Sequence, residues 1–455
     1  MPSHVRAADN VKRPRLAHGA LTVAGTDASD RIALRLRAGD PGTLEVDVGD
    51  DGSAEFSFDR DRVTSITVAA GAGNDLVRID DGNGAFTNSI PTTIAGDDGN
   101  DVLLGGAGAE RLVGGAGVDS IDGNGGNDVA LMGSGDDVFI WDPGDGSDVI
   151  EGQEGTDTML FNGAGVAERV ALSANGNRLR FLRAPGNVTM DTAGVERVDF
   201  NALGGADVVT VDDLHGTDVS AVDLDLGLDG SGDGQDDQVT VNGTAGNDTL
   251  DVRGDASRVT VSGGQALVSI VDHEATDRLI VNGLSGNDAI SATGLAAGAI
   301  TLTLEGGTGD DTLAGGAGVE TLLGDDGSDS IDGNGGNDVA FMKDRNGRSA
   351  CSASCATYWP PLMKTGKVTV GLGLKQTLVG VTKRAGGGMQ VTYNKHPLYT
   401  FALDKSAGQT KGQGSSNFGA KWYAVSARGR AVVKAPTTTT TDTSTTTTNP
   451  YPPYP

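Results

Sequence analysis

Acidic side chains recur at one fixed place in a nine-residue unit. They are Asp101, Glu110, Asp119, Asp128 and Asp137, then Asp148 and Asp157 after a two-residue shift, and in a second block Asp311, Glu320, Asp329 and Asp338. Each follows a glycine-rich stretch, as in GDDGNDVLL from Gly96 or GGTGDDTLA from Gly306. Carboxylates beside turns with open backbone carbonyls offer the oxygen ligands that a hard cation such as Ca²⁺ takes, about six to eight at a time. The competing reading is that these residues are turn formers carrying solvated charge, since Asp and Asn favour turns. Other chemistry finds little support. His273-Glu274 opens as H-E-x-x-H would, but Asp277 stands where the second histidine belongs. Neither a G-x-S-x-G elbow nor a G-x-x-x-x-G-K-[ST] phosphate loop occurs. The five histidines, at 4, 18, 215, 273 and 396, are scattered. Asp pairs that imitate glycosidase carboxylates are expected by coincidence in so acidic a chain. The expectation is a protein that is not an enzyme.

The elements that carry these residues are dictated by composition. The chain has 455 residues, 72 of them glycine, and a formal net charge of −28. So much glycine argues against a helical bundle, because each interior glycine costs a helix about 1 kcal/mol relative to alanine. No strict Gly-X-Y period appears, which excludes collagen. The charge is divided unevenly. Residues 343–455 hold 15 Lys or Arg and three acids (Asp344, Asp404, Asp442), a net of +12, which leaves −40 on residues 1–342. Nucleic acid is therefore not expected as a partner of the whole molecule, since phosphate binding needs concentrated positive charge. No run of 18 apolar residues is present, so no transmembrane segment is predicted. The opening MPSHVRAADNVKRPRLAHGALTV shows no continuous apolar stretch of the signal-peptide kind.

The nonapeptides follow G-G-x-G-x-D-x-U-x, with U a large apolar residue. They start at 96, 105, 114, 123 and 132, at 143 and 152, and at 306, 315, 324 and 333. Glycine permits the tight turn, and x-U-x predicts a three-residue strand with U facing inward. The inward row is Leu103, Leu112, Ile121, Ala130, Phe139, Leu313, Leu322, Ile331 and Ala340. The segment DSIDGNGGNDVA occurs at 119–130 and again at 329–340, and glutamate replaces aspartate in the second repeat of each block, which points to duplication.

This pattern resembles the RTX, or hemolysin-type, calcium-binding repeat of secreted bacterial proteins. The resemblance implies a parallel β-roll in which two repeats make one 18-residue coil. Asp101 would then stack near Asp119, Glu110 near Asp128, Asp119 near Asp137, Asp311 near Asp329 and Glu320 near Asp338. At about 4.8 Å between strands such charges repel unless a cation lies between them. Roughly five to eight calcium ions are expected, at affinities of about 10⁻⁴–10⁻³ M. Half-repeats at 25–32, 71–79, 203–211, 243–252 and 284–290 lack a neighbour in register, and for them calcium and plain turn formation stand about even. The stretch between the blocks alternates apolar and polar residues (ASRVTVSGGQALVSIV, GAITLTLEGG), which predicts more β structure continuing the solenoid.

The basic end reads differently. Tyr399-Thr-Phe401-Ala-Leu-Asp404, with Cys351-x-x-x-Cys355, Trp359-Pro360-Pro361 and Gly412-Gln413-Gly414, resembles a family of small secreted bacterial repeats and lipoproteins with a Y-x-[FWY]-x-x-D motif. An upstream copy is incomplete: Phe341-Met-Lys-Asp344 keeps F-x-x-D, but Val339 replaces the tyrosine. Cys351 and Cys355 are the only cysteines. In an exported module they point to a local disulfide, with a soft-metal site using His396, Met363 or Met389 as the alternative; the resemblance favours the disulfide. Tyr399, Phe401, Trp359 and Trp422 are expected to form the module's core rather than a ligand platform.

The expected architecture is all-β, a parallel β-roll or β-solenoid with two RTX blocks, a small β-rich module and a disordered tail. Its parts are an N-terminal arm (1–16), a β-rich cap (17–95), the first block (96–160), the middle (161–305), the second block (306–342), the secreted-type module (343–434) and a Thr/Pro-rich tail (435–455). The expected function is that of an exported calcium-binding protein, outside the cell or on its surface, folding as Ca²⁺ binds. The alternatives are an adhesin or matrix protein gripping anionic envelope polymer through its basic module, and a hydrolase with its site in 160–305.

Overall fold

A computed structural model describes residues 12–327, 329–335, 339–341, 359–368, 375–384, 387–400, 402, 415–417 and 420–422. They fall into two compact units, Met1–Lys343 and Asp344–Pro455.

In the first unit the chain winds between two long sheets, each of 16 strands among the described residues. The nonapeptide sets the winding. Val102–Leu104, Ser120–Asp122, Val138–Trp141 and Thr158–Asn162 lie side by side in one sheet. Thr92–Asp98, Glu110–Ala116, Val129–Ser134 and Val149–Glu154 lie side by side in the other. Successive strands are parallel, with Leu103 opposite Ile121, Ile121 opposite Phe139, and Leu112 opposite Ala130. Two repeats therefore make one 18-residue coil. Leu103, Leu112, Ile121, Ala130, Phe139, Leu313 and Leu322 are buried in the interior, and Ile331 is partly buried against it. The side chain of Ala340 lies outside the described residues. The strands are not all three residues long, as x-U-x alone predicts. On one sheet Glu110–Ala116 runs on into the next repeat's glycines, pairing Gly115 with Gly133. Glycine backbone without a Cβ lets neighbouring coils approach closely enough to continue the ladder there.

The winding starts before the first full repeat. Ala20–Ala24 pairs parallel with Ser65–Ala72, and Arg31–Arg37 with Leu76–Asp80. Antiparallel strands finish this end: Lys12–Ala17 on one sheet, Asp40–Val48 and Phe56–Asp59 on the other. Arg35 to Asp47 and Arg37 to Glu45 salt bridges tie Arg31–Arg37 to Asp40–Val48.

Between the blocks the solenoid continues but each sheet takes in an antiparallel excursion. Arg169–Asn175, Arg178–Ala184 and Val188–Ala193 form one; Thr249–Asp255, Arg258–Ser262 and Leu267–Val271 form the other. The cause is local. Gly176-Asn177 and Ala256-Ser257 join their strands directly, and a two-residue turn reverses a chain where a six-residue glycine turn would carry it round the coil. The first excursion adds Phe181 to a buried aromatic stack: Trp141 lies 4.0 Å from Phe161, centroid to centroid, and Phe161 lies 4.4 Å from Phe181.

In the second unit Val379–Lys383, Met389–Tyr393 and His396–Pro397 make an antiparallel sheet, and Ser415–Asn417 pairs with Ala420–Trp422. Trp359, Val391 and Tyr393 are buried. Met363 bridges Gln390, and Pro361 bridges Tyr399. Cys351, Cys355, Phe401, Asp404, Asp338 and the tail lie outside the described residues.

Candidate metal centre

Each sixth-position aspartate ends a glycine turn and immediately precedes a strand, so the coil spacing places these carboxylates in columns. The Asp101 N–H donates to Asp119 Oδ1 (2.8 Å), the Asp119 N–H to Asp137 Oδ1 (2.7 Å), and the Asp137 N–H to Asp157 Oδ1 (2.9 Å). A second column runs from Glu110 to Asp128 (2.6 Å) and from Asp128 to Asp148 (2.8 Å). In the second block Asp311 reaches Asp329 at 3.1 Å. The two-residue shift before Asp148 does not break the columns, because the insertion is taken up in the turn.

The columns extend well past the full repeats. The first begins at Asp30 and passes through Asp75 to Asp101, and it ends with the Asp157 N–H on Glu196. Another links Glu168, Asp207, Asp237 and Asp277. A further one links Asp248 and Asp288 to Asp311. Asp30, Asp75, Asp207, Asp248 and Asp288 sit in the half-repeats. Glu168, Glu196, Asp237 and Asp277 escape the nonapeptide pattern altogether. Their remaining signal is an acid, one residue, then a buried apolar residue (Glu168-Arg-Val170, Asp277-Arg-Leu279), with the glycines fewer (Gly163 and Gly165 before Glu168, Gly194 before Glu196) and the spacing stretched.

One carboxylate oxygen per rung is used by this N–H. The other is buried and has no protein partner at Asp75, Asp101, Asp119, Asp128, Asp137, Asp148, Asp157, Asp207, Asp237, Asp288 and Asp311. At Asp101, Asp119, Asp128, Asp157, Asp288 and Asp311 the spare oxygen points over the glycine that opens the turn. A Cβ on Gly96 would sit 2.2 Å from Asp101 Oδ2 and 2.7 Å from the Gly114 carbonyl of the next coil. At Gly114 it would sit 2.5 Å from Asp119 Oδ2 and 2.2 Å from the Met132 carbonyl. The space a side chain would fill is thus faced by a carboxylate oxygen and a carbonyl oxygen. That donor set fits Ca²⁺, a hard ion bound by oxygen in flexible geometry. Among the described residues no three Asp, Glu, His or Cys side chains converge as a cage, so carbonyls must supply much of the shell.

Burial is the main force on these carboxyls, with neighbouring rungs adding repulsion. Together they push Asp119, Asp148, Asp207 and Asp237 up to about 7, and Asp128 to about 9. Asp75 and Asp157 rise to about 6. The stacked carboxylates therefore strongly favour a cation or a proton.

Columns begin with a carboxylate that folds back on its own turn. The Gly106 N–H donates to Glu110 Oε2 (2.8 Å), the Ala164 N–H to Glu168 Oε2 (3.2 Å) and the Gly316 N–H to Glu320 Oε2 (3.1 Å). Asp30 and Asp248 head their columns in the same way, with the Thr26 and Thr244 N–H groups donating to their Oδ2 atoms (2.7 Å each). Glu320's expected neighbour, Asp338, lies outside the described residues.

Comparison with known families agrees with this geometry. Residues 92–117, 104–139, 144–163, 303–329 and 315–341 match the RTX calcium-binding nonapeptide repeat. Residues 380–426 match a secreted repeat of unknown function. The chain thus carries RTX calcium-binding repeats wound as a β-roll, followed by a secreted-type repeat. A search of the curated proteins finds none that matches.

Proposed function

We propose that this is an exported, non-enzymatic calcium-binding protein whose roll folds as Ca²⁺ enters the carboxylate columns, and which serves a structural or interaction role outside the cell or on its surface. The observation that carries the reading is the row of buried, unpartnered carboxylate oxygens, with a backbone carbonyl facing those of Asp101, Asp119, Asp157 and Asp288. When bound, calcium supplies positive charge between rungs that otherwise repel; Asp101, Asp119, Asp128, Asp137, Asp148, Asp157, Asp311 and Asp329 would hold it, with Glu110 and Glu320 at column heads. Metal binding is then folding free energy. Calcium titration followed by circular dichroism, with calorimetry for stoichiometry, tests this. A calcium-free chain already fully folded, and binding no calcium, would sink it. The secreted-repeat match and the RTX match support export. Six of the acids in 160–305, Glu168, Asp207, Asp237, Asp248, Asp277 and Asp288, are column rungs, which supports the metal-binding reading for that stretch.

A second reading rests on the +12 charge of residues 343–455. The basic module would grip an anionic envelope polymer while the roll acts as a spacer. Retention of the full chain on envelope polysaccharide at low salt, lost when the chain ends at Met342, is the expected result. Equal retention of both would argue against it.

A further inference from the structure

The head of the Glu110 column differs from that of the Glu168 column in one respect. At Glu168 a buried arginine neutralises the carboxylate: Arg183 Nε donates to Glu168 Oε1 at 2.7 Å, and both side chains are nearly inaccessible. The Glu110 head has no such base among its partners. There the chain leaves the strand Leu76–Asp80, makes a single turn over Asp81–Asn83 and folds Thr87 down on the repeat turn that begins at Gly105. Asp81 Oδ2 accepts the Ala107 N–H (2.8 Å), and Glu110 Oε2 accepts the adjacent Gly106 N–H (2.8 Å). A Cβ on Gly106 would meet Thr87 Oγ1 at 2.9 Å and Asp81 Oδ2 at 3.1 Å, and one on Gly108 would meet the Thr87 carbonyl at 2.3 Å. Asp81 Oδ1, Thr87 Oγ1 and Glu110 Oε1 are buried without a well-formed hydrogen bond, the Thr87 hydroxyl and the Gly108 N–H lying close enough to the Glu110 carboxylate to favour its charge. Glu110 is 2 % exposed and Thr87 4 %.

We propose that Asp81, Thr87 and Glu110 form a calcium site outside the nonapeptide pattern, half of it built by the segment 81–87. Two carboxylates, a hydroxyl and a carbonyl are hard oxygen donors, which suits Ca²⁺ and gives no foothold to soft metals. Leaving two buried carboxylates together without a countercharge is unfavourable, and burial pushes both carboxyls up, the charge of Asp81 adding to the rise at Glu110. An ion here plays the part that the Arg183 guanidinium plays at Glu168. It also ties the pre-repeat coil to the first full repeat.

This inference rests on calcium binding by the columns, and the test separates the two. The calcium count of the full chain is measured by native mass spectrometry for wild type, Asp81→Asn and the double variant Asp81→Asn/Thr87→Val. Asparagine keeps an oxygen for the Ala107 N–H and puts a neutral NH2 group, which cannot ligate Ca²⁺, in place of the spare Oδ1. Each variant is expected to hold one ion fewer than wild type at saturation. The calcium-free Asp81→Asn chain is expected to resist urea at least as well as wild type, because a repelling charge is gone. A variant with the wild-type count overturns this site and leaves the columns standing. A wild type that binds no calcium overturns both. Lower urea resistance of calcium-free Asp81→Asn would reduce Asp81 to a structural acceptor and overturn the site as well.

Discussion

Asp119 shows what one rung does. Its Oδ1 holds the previous coil's backbone, its own N–H holds the next carboxylate, and its Oδ2 waits beside a carbonyl. Asp119→Asn keeps the first contact and loses the charge. It is expected to weaken calcium-driven folding by about 1.5–3 kcal/mol, the scale of an interaction with a charged group; an unchanged calcium midpoint by circular dichroism would place Asp119 outside the ion's shell. The raised carboxyls also set a pH dependence. Because the folded values, about 6 at Asp75 and about 7 at Asp119, Asp148 and Asp207, lie above the ordinary 3.8, the calcium-free roll is stabilised by protonation at low pH. It loses that stability as pH rises through 6 to 7. Calcium competes with those protons, so its apparent affinity should fall as pH drops from 8 to 5.5. Isothermal titration at the two pH values, showing no change, would contradict the assignment.

Among the elements, the glycine turns and the aromatic stack carry distinct demands. Gly117 has φ +137°, and a Cβ there would lie 2.0 Å from the Gly99 carbonyl of the preceding coil. Gly117→Ala should destabilise the calcium-loaded roll by more than about 1 kcal/mol, read in urea. Phe161 is fully buried between Trp141 and Phe181, and Phe161→Ala should cost about 3–5 kcal/mol. The repeat turns and their inward row were legible from spacing, and the stacking of two repeats into one coil was implied by the RTX resemblance. The excursions at 169–193 and 249–271 were only partly so. Their alternating strands read as β and the two-residue joins at Gly176-Asn177 and Ala256-Ser257 are local signals of reversal, but which coil each returning strand pairs with is set by the winding. The same holds for Asp277, which keeps a rung's position without its glycines, and for Glu168, which keeps only Gly163 and Gly165 of them.

At the scale of the molecule, charge governs. Residues 1–342 carry −40, and self-repulsion of that size opposes compaction until cations enter. Trp141 is the sole tryptophan before residue 343 and is fully buried. In a chain with Trp359→Phe and Trp422→Phe, chelation of calcium should therefore shift its emission to the red as the roll opens. An emission indifferent to chelator would mean that the aromatic stack stands without calcium.

The sequence by itself determined the period, the residues that turn, the apolar row that faces inward and the oxygen chemistry of the sixth position, because each is a local property of nine residues. It also divided the acidic roll from the basic module. Only the tertiary structure decided how far the columns run. Asp30, Asp75, Asp207 and Asp237 join them across gaps of 26 to 45 residues, and such neighbours are made by the winding of the coils rather than by adjacency in the chain. The same winding brings Thr87 and Asp81 against Glu110, a meeting that no periodicity records.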